Sequence, residues 1–129
     1  MNLFVLIADE DGTGGRFLEE VTPLVPKDKL EVFRGFSALA ERLRKPHDPT
    51  CTVLVLAPSH EDLRRIVPLR EFLKDARFLL VLEDQSAETI ALAHRILPTY
   101  ISDLDDGPSG VVSVLKQLTR DAHAREGER

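Results

Sequence analysis

The sequence holds a single cysteine, Cys51, so an intramolecular disulfide is impossible and a cysteine-rich metal site is excluded. Its place at the start of an apolar run makes the thiol read as a small buried hydrophobe. No apolar run approaches the ~20 residues of a membrane span. The opening segment, MNLFVLIADED, has no basic stretch ahead of its apolar residues, so no secretory signal is expected and the expected location is cytoplasmic. A basic stripe is missing too. The 17 Lys and Arg are outnumbered by 22 Asp and Glu, for a net charge of −5, and the bases are scattered among acids, as at Arg64-Arg65, Lys74 and Arg77. Such a chain has no general attraction for nucleic acid or an anionic membrane, and neither is expected as a partner. No Gly-x-Ser-x-Gly surrounds Ser59, and His47, His60, His94 and His123 lack metal-ligand spacing, although His94, beside Ala93 and Ile96, is expected to be partly buried.

What is present is the composition of a folded domain. In 129 residues, 43% are hydrophobic and 30% charged, enough for one core and too few for two ordinary domains. Residues 1–123 are expected to form that domain, with 124–129 as a charged, frayed tail.

Apolar runs without in–out alternation mark strands buried on both faces. They occur at 3–8, 52–57 (stopped by Pro58) and 78–82 (stopped by Glu83-Asp84), with weaker candidates at 30–33 and 99–102. Helical spacing occupies the gaps. A helix is expected over 16–25, ended or distorted early by Pro23. Ser37 should cap a second helix ended by Lys45-Pro46, and Ser59 should open a third with Asp62 as a capping box. Pro68 should kink that helix or split it in two. Ser86 should cap a fourth, and a fifth should run over 108–122 with Val111, Val112, Leu115 and Leu118 on one face. The alternation predicts an α/β fold of flavodoxin-like type: a doubly wound, five-stranded parallel sheet in the order 2-1-3-4-5, helices on both faces.

In such a sheet, sites lie outside the carboxyl ends of the strands. The first strand ends in Asp9-Glu10-Asp11, a cluster that is tolerable if solvated, where it also favours the next helix N-terminus, or if it shares a cation. Gly12-Thr13-Gly14-Gly15 follows. Phe17 stands where a dinucleotide fingerprint needs its third glycine, and a Walker loop's lysine is missing, so the glycines read as a turn into the helix.

These strand ends resemble a family. Phe4-Val5-Leu6-Ile7-Ala8-Asp9-Glu10-Asp11 is similar to the opening of bacterial response-regulator receiver domains (CheY-like), where paired acids hold Mg²⁺, and the resemblance covers about residues 2–122. It implies a divalent cation, Mg²⁺ or Ca²⁺, on Asp9 and Glu10. It also implies a phosphorylation pocket that has degenerated. Ala57 stands where receivers carry the phosphorylated aspartate, Glu83 where they carry Ser or Thr, and Asp103 where they carry lysine. Tyr100 matches the aromatic that moves inward or outward on activation. The implied activity is therefore a pseudo-receiver, a stand-alone signalling module rather than an enzyme, acting through protein–protein contact without aspartyl phosphorylation. The implied partner is a histidine kinase, an output protein, or a second copy. Docking would use the face of the fourth helix, fifth strand and fifth helix, where Ala87, Ala91, Arg95 and Tyr100 lie. Two alternatives stay open: a phosphorelay receiver with a displaced acceptor at Asp48 or Asp62, and a small flavodoxin-like enzyme or ligand-binding domain.

Overall fold

Strands that are apolar at every position need cover on both faces, and the chain supplies it. The computed structural model describes residues 2–8 and 13–127. The apolar runs form β1 (Leu3–Ile7), β3 (Thr52–Leu56) and β4 (Arg77–Leu82); every residue of β1 and β3 is buried. The weaker candidates form the edge strands β2 (Leu30–Phe33) and β5 (Tyr100–Asp103). All neighbours pair in parallel, in the order β2-β1-β3-β4-β5. This is the predicted doubly wound arrangement.

The two-residue period of the strands divides the core. Phe4, Leu6, Val53, Val55, Phe78 and Leu80 face α2 (Phe36–Leu43), α3 (His60–Phe72) and α4 (Ala87–Arg95). Leu3, Val5, Ile7, Leu54, Leu79 and Val81 face α1 (Thr13–Val21) and α5 (Ser109–Gly127). Each fully buried aliphatic or aromatic side chain contributes about 1.5–3 kcal/mol, so these layers hold the stability. Cys51 is buried in the first layer, and desolvation pushes its thiol up to about 11, so it stays protonated and unreactive.

Two arginines tie helices to their surroundings. Arg42 Nε lies 2.9 and 3.1 Å from the two carboxylate oxygens of Glu31, which fastens α2 to edge strand β2. Arg70 Nε donates to the Ile96 carbonyl (2.9 Å), and its Nη1 donates to the carbonyls of Leu73 (2.6 Å) and Lys74 (3.0 Å). One guanidinium thus satisfies carbonyls at the ends of both α3 and α4, which have no intrahelical donors of their own.

Several local expectations are corrected. α1 begins at Thr13, so Thr13, Gly14 and Gly15 are helix rather than turn; it ends early, at Val21, as Pro23 led one to expect, and Pro23 sits in the 3-10 turn Thr22–Leu24 that follows. Gly35, not Ser37, caps α2. Phe36 packs against the core from the first helical position, so the helix must begin before a Ser37 cap would allow. α3 is one helix through Pro68 rather than two, opened by the expected reciprocal bonds between Ser59 and Asp62 at 3.1 Å each. α5 continues through Gly127, into the segment expected to fray.

Candidate functional site

The five strands point their carboxyl ends the same way, and the loops there gather acids. β1 pairs with β3 so that Ile7 lies opposite Leu56, β3 pairs with β4 so that Leu56 lies opposite Val81, and Leu82 lies opposite Asp103. Ala57, Glu83 and Asp103 therefore all stand at the carboxyl ends of their strands, along one edge of the sheet. Asp9 and Glu10, the expected cation ligands, lie outside the described residues, as do Asp11 and Gly12.

Ala57 is 7% exposed, and its backbone N–H donates to the Val81 carbonyl at 2.8 Å. Its φ of 52° is left-handed, a conformation that costs most L-residues about 1–2 kcal/mol and that Asn and Asp tolerate better than alanine does. Glu83 is exposed just beyond β4. It borders a cleft of about 470 Å³ whose other walls are Arg16 and Phe17 of α1 and residues 104–108. Asp103 is half-buried, and its carboxylate accepts from the Asp105 N–H at 3.0 Å, opening the turn Leu104–Asp106.

Sequence reasoning missed two features of this edge. The first is Arg16, which lines the same cleft as Glu83, Asp105 and Asp106 and is the one cation there among the described residues. The second is the role of Asp84. Its carboxylate accepts from the Thr89 hydroxyl (2.6 Å), the Ser86 N–H (2.9 Å) and the Ser86 hydroxyl (3.2 Å). Those bonds, the one from Thr89 first, hold its carboxyl below the usual carboxylate range. An acid two residues before the Ser86 cap was the available signal. Asp84 thus orders the loop beside Glu83 and is occupied in doing so.

The other candidates separate. Ser86 caps α4, accepting from the Thr89 N–H. Ala91 and Arg95 are exposed on α4, while Tyr100 is half-buried on β5 against the α1–α5 layer. The Tyr100 hydroxyl occupies the space a Cβ on Gly110 would need, so its position depends on that glycine in α5. Asp62 is engaged in the α3 cap, and Asp48 accepts from the Thr50 hydroxyl (2.7 Å) and N–H (2.9 Å); neither stands at a strand end. His47, His60 and His94 lie on different elements, and His94 is exposed rather than partly buried because its neighbours Ala93 and Ile96 take the inward face of α4. The side chain of His123 lies outside the described residues. Among the described residues, no three His, Cys, Asp or Glu side chains are grouped to hold a metal ion. No helix among them is long and apolar enough to cross a membrane.

No protein-family model matches this sequence, and no curated protein sequence matches it. Solved structures do. The signal receiver domain of an HD domain-containing protein from Pseudomonas fluorescens Pf-5 matches with a TM-score of 0.69 at 15% identity, over 99% of this chain and 93% of that one. A response regulator from Burkholderia pseudomallei, with a phosphorylated aspartic acid, a calcium ion and citrate, matches with a TM-score of 0.64 at 16% identity, over 98% of this chain and 73% of that one. The Mn²⁺-bound form of the response regulator Rcp1 matches with a TM-score of 0.61 at 10% identity, over 92% and 91%. The fold is the receiver-domain fold. Within that receiver fold, the strand ends carry a methyl group at residue 57 and carboxylates at 83 and 103.

Proposed function

We propose that this chain is a response-regulator-like signalling domain that acts by docking to another protein and takes no phosphoryl group. The observation that carries the reading is Ala57, at the end of β3 in a receiver fold. Aspartyl phosphorylation needs a carboxylate oxygen to attack phosphorus and donors to hold the phosphoryl oxygens. A methyl group has no lone pair to attack with, and Glu83 and Asp103 bring charge that repels an incoming phosphate. Arg16 offsets part of that repulsion.

In this reading Asp9 and Glu10 hold a divalent cation, Mg²⁺ or Ca²⁺, whose charge would relieve the repulsion among the edge carboxylates. Two of the structural neighbours were solved with Ca²⁺ or Mn²⁺. Ala91, Arg95 and Tyr100 mark the docking face of α4, β5 and α5, and the partner is a cytoplasmic histidine kinase, an output protein or a second copy.

Incubation with acetyl phosphate and Mg²⁺, followed by intact mass, tests the central claim. No mass gain is expected; a gain of one phosphoryl group overturns it. Melting temperature followed against Mg²⁺ or Ca²⁺ tests the cation, with a rise expected at millimolar metal.

A further inference from the structure

Two clefts join on the side of the molecule away from the acidic edge. One, about 330 Å³, runs between α2 and α3; Phe36, Ala40 and Leu43 line one wall and Pro68, Leu69 and Phe72 the other, with Arg44 and Arg65 also lining it. The second, about 550 Å³, opens at the amino ends of β3 and β4 and shares Leu43, Arg44 and Phe72 with the first. Lys45, His47, Lys74 and Asp75 complete its charged lining. We propose that this continuous groove docks an acidic, amphipathic helix of a partner protein.

Shape supports that occupant. α3 buries Leu63 and Ile66 in the core, and Phe72, one turn beyond exposed Pro68, is left 75% exposed. Residues 65, 68, 69 and 72 form a stripe at helical spacing and 36, 40, 43 and 44 its counterpart on α2; Leu43 is buried and Phe36 and Leu69 are half-buried against the core, so Phe72 and Pro68 give the trough most of its open apolar surface. Two such stripes side by side make a trough that takes the apolar face of a helix.

Charge chooses the sign of the partner. Among the described residues, Arg44, Lys45, Arg65 and Lys74 line the joined clefts against one acid, Asp75, in a chain whose net charge is −5. Helix carboxyl ends favour cations in general, and that alone accounts for Arg44, Lys45 and Lys74. It does not account for Arg65, in the middle of α3, whose guanidinium lies 6.0 Å from the centre of the Phe36 ring. Its ion pair with Glu61, at 3.7 Å and exposed, is weak. Among the described residues, Arg44, Lys45 and Lys74 have no ion-pair partner. A second copy fits poorly: besides Phe72, the exposed large hydrophobics among the described residues are Val32 and Leu97, and neither belongs to an acidic helix face. The site is remote from Ala57 and does not depend on whether that residue ends phosphorylation.

The probe is a fluorescein-labelled peptide of about four helical turns, with Leu and Phe along one face and Glu elsewhere, set against the same peptide with Lys in place of Glu. Anisotropy with the full chain should show micromolar, salt-sensitive binding of the Glu peptide and none of the Lys peptide. Phe72→Ala and Arg44→Glu, both exposed and expected to fold, should each weaken binding on the order of tenfold, with amide shifts confined to α2, α3 and the loops after them. Absence of binding, equal binding of both peptides, or indifference to both substitutions overturns the proposal. So does self-association abolished by Phe72→Ala, which would assign the groove to a second copy. Displacement of the peptide by oligothymidylate whose own binding ignores Phe72→Ala would assign it to a polyanion.

Discussion

Among the described residues, Glu83, Asp105 and Asp106 share a cleft at the carboxyl ends of the strands with one cation, Arg16; at the amino ends, Arg44, Lys45 and Lys74 share another with one acid, Asp75. The contrast has a common physical source. Parallel strands joined by helices place helix N-termini at one edge and C-termini at the other, and the macrodipole favours anions at the first and cations at the second by about 0.3–1 kcal/mol each. Charge segregation is therefore partly what any such fold selects. The edges differ beyond that in their apolar content. The acidic cleft borders buried Phe17 and Leu104, whereas the basic one is flanked by an uncovered phenylalanine, Phe72. The acidic edge also spends its carboxylates internally, Asp84 on Ser86 and Thr89 and Asp103 on Asp105, while in the basic groove Arg44, Lys45 and Lys74 have no ion-pair partner among the described residues and Arg65 has only an exposed pair with Glu61.

The sharpest way to break the comparison is to remove what both edges stand on. Phe78 is 1% exposed, in the middle of the α2–α3–α4 layer. Phe78→Ala should cost about 3–5 kcal/mol in urea unfolding and loosen both edges together; a loss under about 1 kcal/mol would show that the layers are not the shared foundation. Arg70→Ala should act on one edge only. It strips the donors from three carbonyls at the ends of α3 and α4 and should lose about 2 kcal/mol. Hydrogen exchange should quicken there and stay unchanged around Asp84.

Smaller changes sharpen the acidic side. Gly110→Ala places a methyl group against the Tyr100 hydroxyl and should destabilise by about 1 kcal/mol as the ring moves. Tyr100 is the only tyrosine and there is no tryptophan, so intrinsic fluorescence reports this ring alone. Asp84→Asn has the smallest effect, and it depends on pH. Because folding lowers the Asp84 pKa, its contribution is present above the unfolded value of about 3.9 and fades as pH falls through the lower folded value. The parent should therefore lose part of its advantage over the variant below about pH 4. Parallel stability curves through the acid limb would contradict the assignment.

Much of this was legible in the residues. The strand runs announce burial on both faces, and the βα alternation then leaves few topologies, because right-handed crossovers and helical cover follow from chirality and apolar area. Ala57, Glu83 and Asp103 could be found because strand ends are marked by where apolar runs stop. The caps at Ser59 and Ser86 were readable because a cap is local. The cap at Ser37 was misread because the core contact of Phe36 outweighed it. Pro68 was expected to kink α3 or split it in two; the split does not occur, because a helix held by Leu63 and Ile66 absorbs the loss of one backbone bond.

The order of elements, the parallel sheet and the identities at the strand ends came from the sequence alone, since each depends on period, run length and local chemistry. Only the tertiary structure could bring Arg16 to Glu83, lay Tyr100 over Gly110, and join stripes of α2 and α3, separated in the chain by β3, into one basic, apolar groove. Each is a meeting of residues on different elements, set by how helices pack on a sheet rather than by any spacing along the chain.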